Sequence, residues 1–252
     1  MIHEIHYTKI ITDPLFTEPR SGCIDLWNAF MVENATFSQN DIPLCPTFVP
    51  NGLPENLISY SKAKALFKEQ IRKGNKDFHV NAFVHFCEDD QNFDGPREGI
   101  WRQYNKALQI LLHFDGIISP DYSTYSDFPD PIKRYNTYRM RAFAYWCYTK
   151  GIPTINNVRW GTSETWLYCF DGIESDSIVF IGTVASGLRR LINRPDFEIG
   201  LNKMVEILHP HTIIVYGSAQ YDFFERLKEE GINIIAFPSE TNKAHSGGES
   251  NE

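Results

Sequence analysis

From Ile58 onward, short apolar runs of strand length alternate with longer runs of helical period, and this alternation limits the available folds more than any other feature of the chain. Strands separated by helices have to be joined by crossovers, and crossovers make parallel sheets. Ile58–Arg72 reads as a helix with Ala63, Leu66, Phe67 and Ile71 on one stripe, and Asn81–Cys87 reads as a strand. Pro96 opens a helix predicted to run to Leu112, since proline is favoured in a first helical turn. Gly116–Pro120 is a short strand, and Pro131 opens a second long helix that ends at Lys150-Gly151. Strands are predicted at Thr154–Val158, Ser177–Thr183, Thr212–Tyr216 and Asn233–Phe237. Helices are predicted near Ser163–Phe170, at Pro195–Leu208 and at Gln220–Glu230.

The predicted class is therefore α/β, with repeated βα units and a mainly parallel sheet. A barrel and an open doubly wound sheet both satisfy the pattern. In Asn81–Cys87, Ala82, Val84 and Phe86 form an apolar face, while Asn81, His85 and Cys87 share the other face with Phe83. An open sheet covered on both sides is apolar on both faces, whereas a barrel tolerates polar residues near its mouth. The last three strands (IVFIG, TIIVYG, INIIAF) are apolar throughout. The early strands tip the expectation slightly towards a barrel-like fold.

Before Ile58 the pattern is irregular, with Pro14, Pro19, Pro43, Pro46, Pro50 and Pro54 interrupting any period. Short strands are expected at Tyr7–Thr12 and Pro43–Val49. The scattered aromatic residues argue for an ordered wrapping segment. No repeat or glycine-rich linker divides the chain, so residues 1–40 are read as an N-terminal extension, 41–240 as a single domain and 241–252 as a disordered polar tail. At 252 residues with 42% hydrophobic content, a large core needs no staples. The five cysteines, Cys23, Cys45, Cys87, Cys147 and Cys169, form no CxxC pair, so reduced thiols in a cytoplasmic protein are expected. No signal peptide opens the chain and no apolar run approaches a membrane span, so no membrane partner is expected. The net charge of −8 disfavours broad contact with a nucleic-acid backbone.

Parallel α/β folds place their sites at the carboxyl ends of strands. Glu88-Asp89-Asp90, Asp121, then Asn156, Asn157, Arg159 and Trp160 follow the early strands. Gly182-Thr183, Tyr216-Gly217-Ser218 and Ser239-Glu240 follow the later ones. Asp89, Asp90 and Asp121 are candidate ligands for Mg²⁺, which takes carboxylate oxygens together with substrate phosphates. Asp121, Glu88 and His85 are candidate acid–base groups. Capping of the following helix is the structural alternative for the acidic run. A carboxylate at the end of a buried strand is costly without a partner, and Arg139 and Arg141 on the next helix are candidates to pair Asp121. They are equally candidates to hold a ligand phosphate. The Tyr216-Gly217-Ser218 turn before a helix suits an anion, as does Gly182-Thr183 with Ser186-Gly187 and the following Arg189 and Arg190. Asn156, Trp160, Tyr216, Gly217, Ser218 and Arg139 complete the candidate ligand-binding set. His209-Pro210-His211 precedes a strand and is read as a loop at the opposite end. Most of the aromatic residues Trp101, Tyr104, Tyr135, Tyr138, Tyr145, Trp146 and Tyr148 are expected to pack as core or beneath the N-terminal segment, with stacking on a base the alternative for the others.

The runs HFDGIISPDYSTYSDFPDPIKRYNTYRMRAFAYW, IPTINNVRWG, YCFDGI, TIIVYGSA and INIIAFPSE resemble a domain-of-unknown-function family from Gram-positive bacteria, their phages and mobile elements. The resemblance covers roughly residues 40 to 240. It implies a shared fold and a shared site including Asp121, Asn136, Arg139, Trp160, Asp171, Gly172, Tyr216 and Gly217, and it implies no particular activity. The leading expectation is a phage- or mobile-element-associated protein that binds a nucleotide or another phosphorylated ligand at the strand ends, as a metal-dependent hydrolase or nucleotide-processing enzyme. A non-catalytic interaction protein, an inhibitor of a host protein or an accessory to element replication, with the N-terminal segment as its contact, is the alternative, and a metal-dependent nuclease acting on nucleic acid is a weaker one.

Overall fold

The computed structural model describes residues 19–184, 186, 188 and 190–239, together with the backbone of Lys9–Ile10. Most of the expected strand at Tyr7–Thr12, together with Gly187, Arg189, Glu240 and the tail, lies outside the described residues. The chain divides into two units, residues 1–174 and residues 175–252.

The first unit pairs β1 (Lys9–Ile10) with β2 (Thr36–Phe37) in an antiparallel ladder. Its main sheet contains β3 (Leu57–Ser59), β4 (Val80–His85), β5 (Phe114–Ile118) and β6 (Thr154–Asn157), all parallel and in chain order. The connecting helices are α1 (Tyr60–Arg72), α2 (Tyr104–Leu111) and α3 (Asp130–Thr149). The protein is thus an α/β protein with mainly parallel strands, as the alternation predicts. A doubly wound sheet reverses its strand order at a switch point. The unit contains no such reversal, and its one-way winding is that of barrel-type folds.

Two predicted boundaries differ for physical reasons. The helix expected from Pro96 begins only at Tyr104, because residues 93–100 curl back so that the Ile100 amide donates to the Phe93 carbonyl (2.7 Å). That curl buries Phe93 and Ile100 completely, and burial outweighs helical propensity there. The helix expected at Ser163–Phe170 is a 3-10 segment, Ser163–Leu167.

Phe86 lies at the centre of the core, with its ring 5.2 Å from Tyr60, 5.5 Å from Phe93 and 6.4 Å from Phe143. The N-terminal segment packs against this core through buried Ala29, Met31, Val32, Ala35 and Phe37. Tyr135, Tyr138 and Tyr145 share one face of α3 and donate to the carbonyls of Leu26, Trp27 and Glu33. The aromatic helix residues therefore lie beneath the N-terminal segment, as expected. Further along, the predicted strand at Pro43–Val49 is reduced to single bridges, Pro43 with Phe37, Cys45 with Ile173 and Phe48 with Thr154. The Cys45 amide donates to Gly172 O (2.9 Å), and Phe48 and Thr154 exchange both backbone hydrogen bonds.

The second unit has β7 (Ile178–Gly182), β8 (Thr212–Tyr216) and β9 (Asn233–Phe237), parallel and in chain order, with α4 (Arg194–Leu208) and α5 (Asp222–Glu229) between them. Leu208 is followed by His209 at φ 46°, and Pro210 prevents the helix from resuming. All of β8 is buried, whereas β9 is partly exposed along its length. Its apolar composition had suggested burial on both faces. Among the described residues, no helix is long and apolar enough to cross a membrane.

Candidate functional site

In the first unit the loops after β4, β5 and β6 bring together Cys87, Asp90, Asp121, Asn157 and Arg159. Asp121 is the hub. It is 9% exposed and its carboxylate accepts from Asn157 Nδ2 at 2.6 Å. Arg159 Nη1 reaches both Asp121 oxygens, at 3.1 and 2.9 Å. The Cys87 thiol hydrogen-bonds the same carboxylate. Burial, then the charge of Asp121, pushes that thiol well above its ordinary range, so Cys87 is a neutral donor and not a nucleophile at neutral pH. The Asp121 charge also raises the already high Arg159 value, against the opposing effect of burial.

The partner of Asp121 is thus Arg159, not Arg139 or Arg141. Arg139 forms a bidentate pair with Asp94 (2.8 and 2.9 Å), donates to Asn136 Oδ1 (2.6 Å) and lies 3.9 Å above the Tyr122 ring. Asn136 in turn donates to Ser123 O. Arg139 therefore ties α3 to the loops after β4 and β5. Arg141 is fully buried and donates to the carbonyls of Asp171, Asn157 and Cys169.

The acidic run separates into three roles. Glu88 accepts from the Ser61 amide (2.8 Å) and from Asn92 Nδ2 (3.1 Å). It therefore caps α1, the preceding helix, instead of the helix after it. Asp89 is exposed. Asp90 faces the hub, accepting from the Ser123 amide at 3.4 Å. Burial, followed by smaller contributions from Asp121 and Asp94, raises its carboxyl despite the Ser123 hydrogen bonds. Among the described residues, no three His, Cys, Asp or Glu side chains gather closely enough to hold a metal ion.

His85 is buried, and its Nδ1 accepts the Cys87 amide at 3.2 Å. Asn156 points its Nδ2 to Cys45 O (2.8 Å), so it fastens the N-terminal segment to β6. Trp160 is half-buried. Asp171 accepts from Asn40 Nδ2 (2.8 Å). Gly172 has φ 77°, and a Cβ there would strike the Pro43 carbonyl and the Arg141 side chain.

The second unit carries Tyr216, Gly217 and Ser218. Tyr216 is buried and stacked on Phe180. Gly217 has φ 115°, and a Cβ there would collide with Thr183 Oγ1. That hydroxyl donates to Ser218 O (3.1 Å) and lies 3.3 Å from Tyr216 O. Ser218 Oγ accepts the Gln220 amide. The helix that follows opens with Asp222 and Glu225 in its first turn, and these carboxylates oppose the approach of an anion.

Asn157 and Arg159 are strand-end residues in the sequence, but neither they nor Cys87 stand out there as site residues. The available signal was parity. Asn157 and Arg159 stand two apart in extended chain, and a buried carboxylate at a neighbouring strand end needs such a pair.

Residues 45–238 match the model of a family described as Domain of unknown function (DUF4417). The chain belongs to this family. The DUF4417 match contains Cys87, Asp90, Asp121, Asn157, Arg159 and the Tyr216–Ser218 turn, and excludes the segment from Ala29 to Phe37. The chain is also similar to the Gene 1 proteins of Mycobacterium phages L5 and D29, 29% identical over 140 residues in each case. That stretch is 55% of this DUF4417 chain, 58% of the L5 protein and 49% of the D29 protein, so it spans about half the length of these curated relatives. No solved structure matches the chain.

Proposed function

We propose that this phage-related DUF4417 protein binds a nucleotide or another phosphorylated ligand at the carboxyl ends of β4, β5 and β6. The observation that carries the reading is the Asp121–Arg159 pair. Arg159 uses Nη1 alone on Asp121, and its side chain keeps 21% exposure. Its remaining N–H groups suit a phosphate, for which guanidinium is the best-matched side chain. Asp121 holds the guanidinium in place, and Asp90 and Cys87 close the polar rim. Where a divalent cation accompanies the phosphate, Asp90 and Asp121 are the carboxylates that face the hub, while Glu88 remains a cap and Asp89 remains in solvent.

Isothermal calorimetry of the full chain against AMP, ADP, ATP, GMP and inorganic phosphate, with and without Mg²⁺, tests the reading. Binding that weakens at least about tenfold in Arg159→Gln, roughly 1.4 kcal/mol, is the expected result. Absence of heat from every probe overturns it.

The exposure of Ile24 (79%) and Leu26 (67%) favours a second reading, contact with a host protein through the N-terminal segment. An unchanged set of captured partners after Ile24→Ser and Leu26→Ser would remove it.

A further inference from the structure

We infer that Tyr125 is the wall on which the base of a nucleotide stacks while its phosphate sits on Arg159, so that the strand-end site prefers nucleotides to sugar phosphates without a base. The inference rests on the phosphorylated-ligand reading above and deepens it. After β5 the chain sends successive side chains to opposite sides. Asp121 faces the hub, where it meets Asn157 and Arg159. Tyr122 turns away, with its ring 5.5 Å from Phe93 and 3.9 Å from the Arg139 guanidinium. Ser123 turns back, and both its amide and its side chain bond Asp90. Tyr125 is the next residue of that parity. A second observation sets the two loops side by side: a Cβ on Gly161 would lie 3.5 Å from Thr124 O. The chain just before Tyr125 therefore passes beside the chain just after Arg159. Electrostatics agree with this placement. Asp121 does most to raise Arg159, against burial, and Cys87 and then Tyr125 add to it, so the phenol lies within electrostatic reach of the guanidinium.

Tyr125 is also accessible and uncommitted. It is 49% exposed, and its hydroxyl makes no hydrogen bond among the described residues. Phe128 braces the ring, with centroids 5.4 Å apart and planes at 81°, and the Phe128 amide donates to Tyr125 O at 3.0 Å. A turn therefore holds an aromatic ring at the surface before any ligand arrives. Arg159 keeps 21% exposure, so a ligand can reach both groups from solvent. The two side chains suit the two ends of one ligand class. A guanidinium matches a phosphate. An aromatic ring stacks on a base with little regard to its identity, because every base has a π face.

The test compares matched ligands by calorimetry on the full chain. AMP is set against ribose 5-phosphate, which keeps the sugar and the phosphate and lacks the base. AMP should bind about tenfold more tightly or better, the range expected for one stacked base. Tyr125→Ala should erase that preference and leave the affinity for ribose 5-phosphate unchanged. Tyr125→Phe should keep the preference, because the ring remains and only the hydroxyl is lost. Equal affinity of the two ligands for the wild-type protein overturns the inference and leaves the phosphate reading standing. A preference that persists in Tyr125→Ala also overturns it, by assigning the base contact to another residue. Loss of the preference in Tyr125→Phe overturns the stacking, by assigning the contact to the hydroxyl. Failure of both ligands and of inorganic phosphate overturns both readings.

Discussion

Replacing Arg141 with methionine should destabilise the first unit by about 3 kcal/mol. Methionine keeps the length of the aliphatic stem and deletes the fork. The fork reaches three carbonyls from three directions: Asp171 O at 3.1 Å, Asn157 O at 3.0 Å and Cys169 O at 3.4 Å. A hydrogen bond from a charged donor is worth about 1.5–3 kcal/mol net, so the two shorter bonds together return about 3–6 kcal/mol and the third adds little. Against this stands the cost of keeping a guanidinium fully out of water, which is several kcal/mol before its hydrogen bonds are counted. The carbonyls also remain buried after the substitution, and each loses its guanidinium donor. The difference favours arginine by about 3 kcal/mol, which for a chain of this size lowers Tm by roughly 6–12 °C. Urea unfolding followed by circular dichroism measures it, with the midpoint falling and the slope unchanged. Arg141→Lys should recover little, because one ammonium cannot span the three directions. A methionine variant as stable as wild type would refute the reasoning, showing that the desolvation of the guanidinium cancels its carbonyl bonds.

Three further outcomes follow from the same geometry. Gly217→Ala should destabilise the second unit by about 2 kcal/mol or more, through the positive φ and the collision with Thr183, and a thermal melt unchanged within 2 °C would contradict it. Burial raises the Cys45 thiol from its ordinary 9.0 to about 12 and also raises Cys147, so stability should be full below about pH 9 and decline as the pH climbs towards 12; a urea midpoint equal at pH 8 and pH 11 would contradict that sign. Iodoacetamide at pH 8 should label exposed Cys23 first in the native protein, with half-buried Cys87 protected by its bond to Asp121, and equal labelling of the two by mass spectrometry would count against the hub.

The parallel α/β class was legible in the sequence because periodicity is local. Each strand pattern from Asn81 onward corresponds to an observed strand, and the long helix opened by Pro131 appears as α3. Short β3 was hidden because Leu57–Ser59 runs directly into α1 and carries no turn signal between them. The candidate site was legible in its place and less so in its pairing. The strand-end rule selected Asp121, but the arginines sought for it lay on the next helix, where Arg139 meets Asp94 and Arg141 meets backbone carbonyls. The true partner sits beyond the next strand, and no local spacing connects positions 121 and 159. Glu88 shows the same limit: capping was the right chemistry, yet the capped helix precedes the carboxylate by a whole strand.

The bridge between Phe48 and Thr154 has a consequence for the order of assembly. Strands β3 to β6 pair in the order in which they are made, so each can dock as it emerges. The segment around Cys45–Phe48 comes earlier in the chain than all four of them, yet its partners are Thr154 and Gly172. Those bonds cannot form until more than a hundred further residues have been synthesised. These contacts are therefore made late, and Asn156, which donates to Cys45 O, is one of their clasps. Weakening Asn156 should leave the early strands paired and slow only the closing step that fastens Cys45–Phe48.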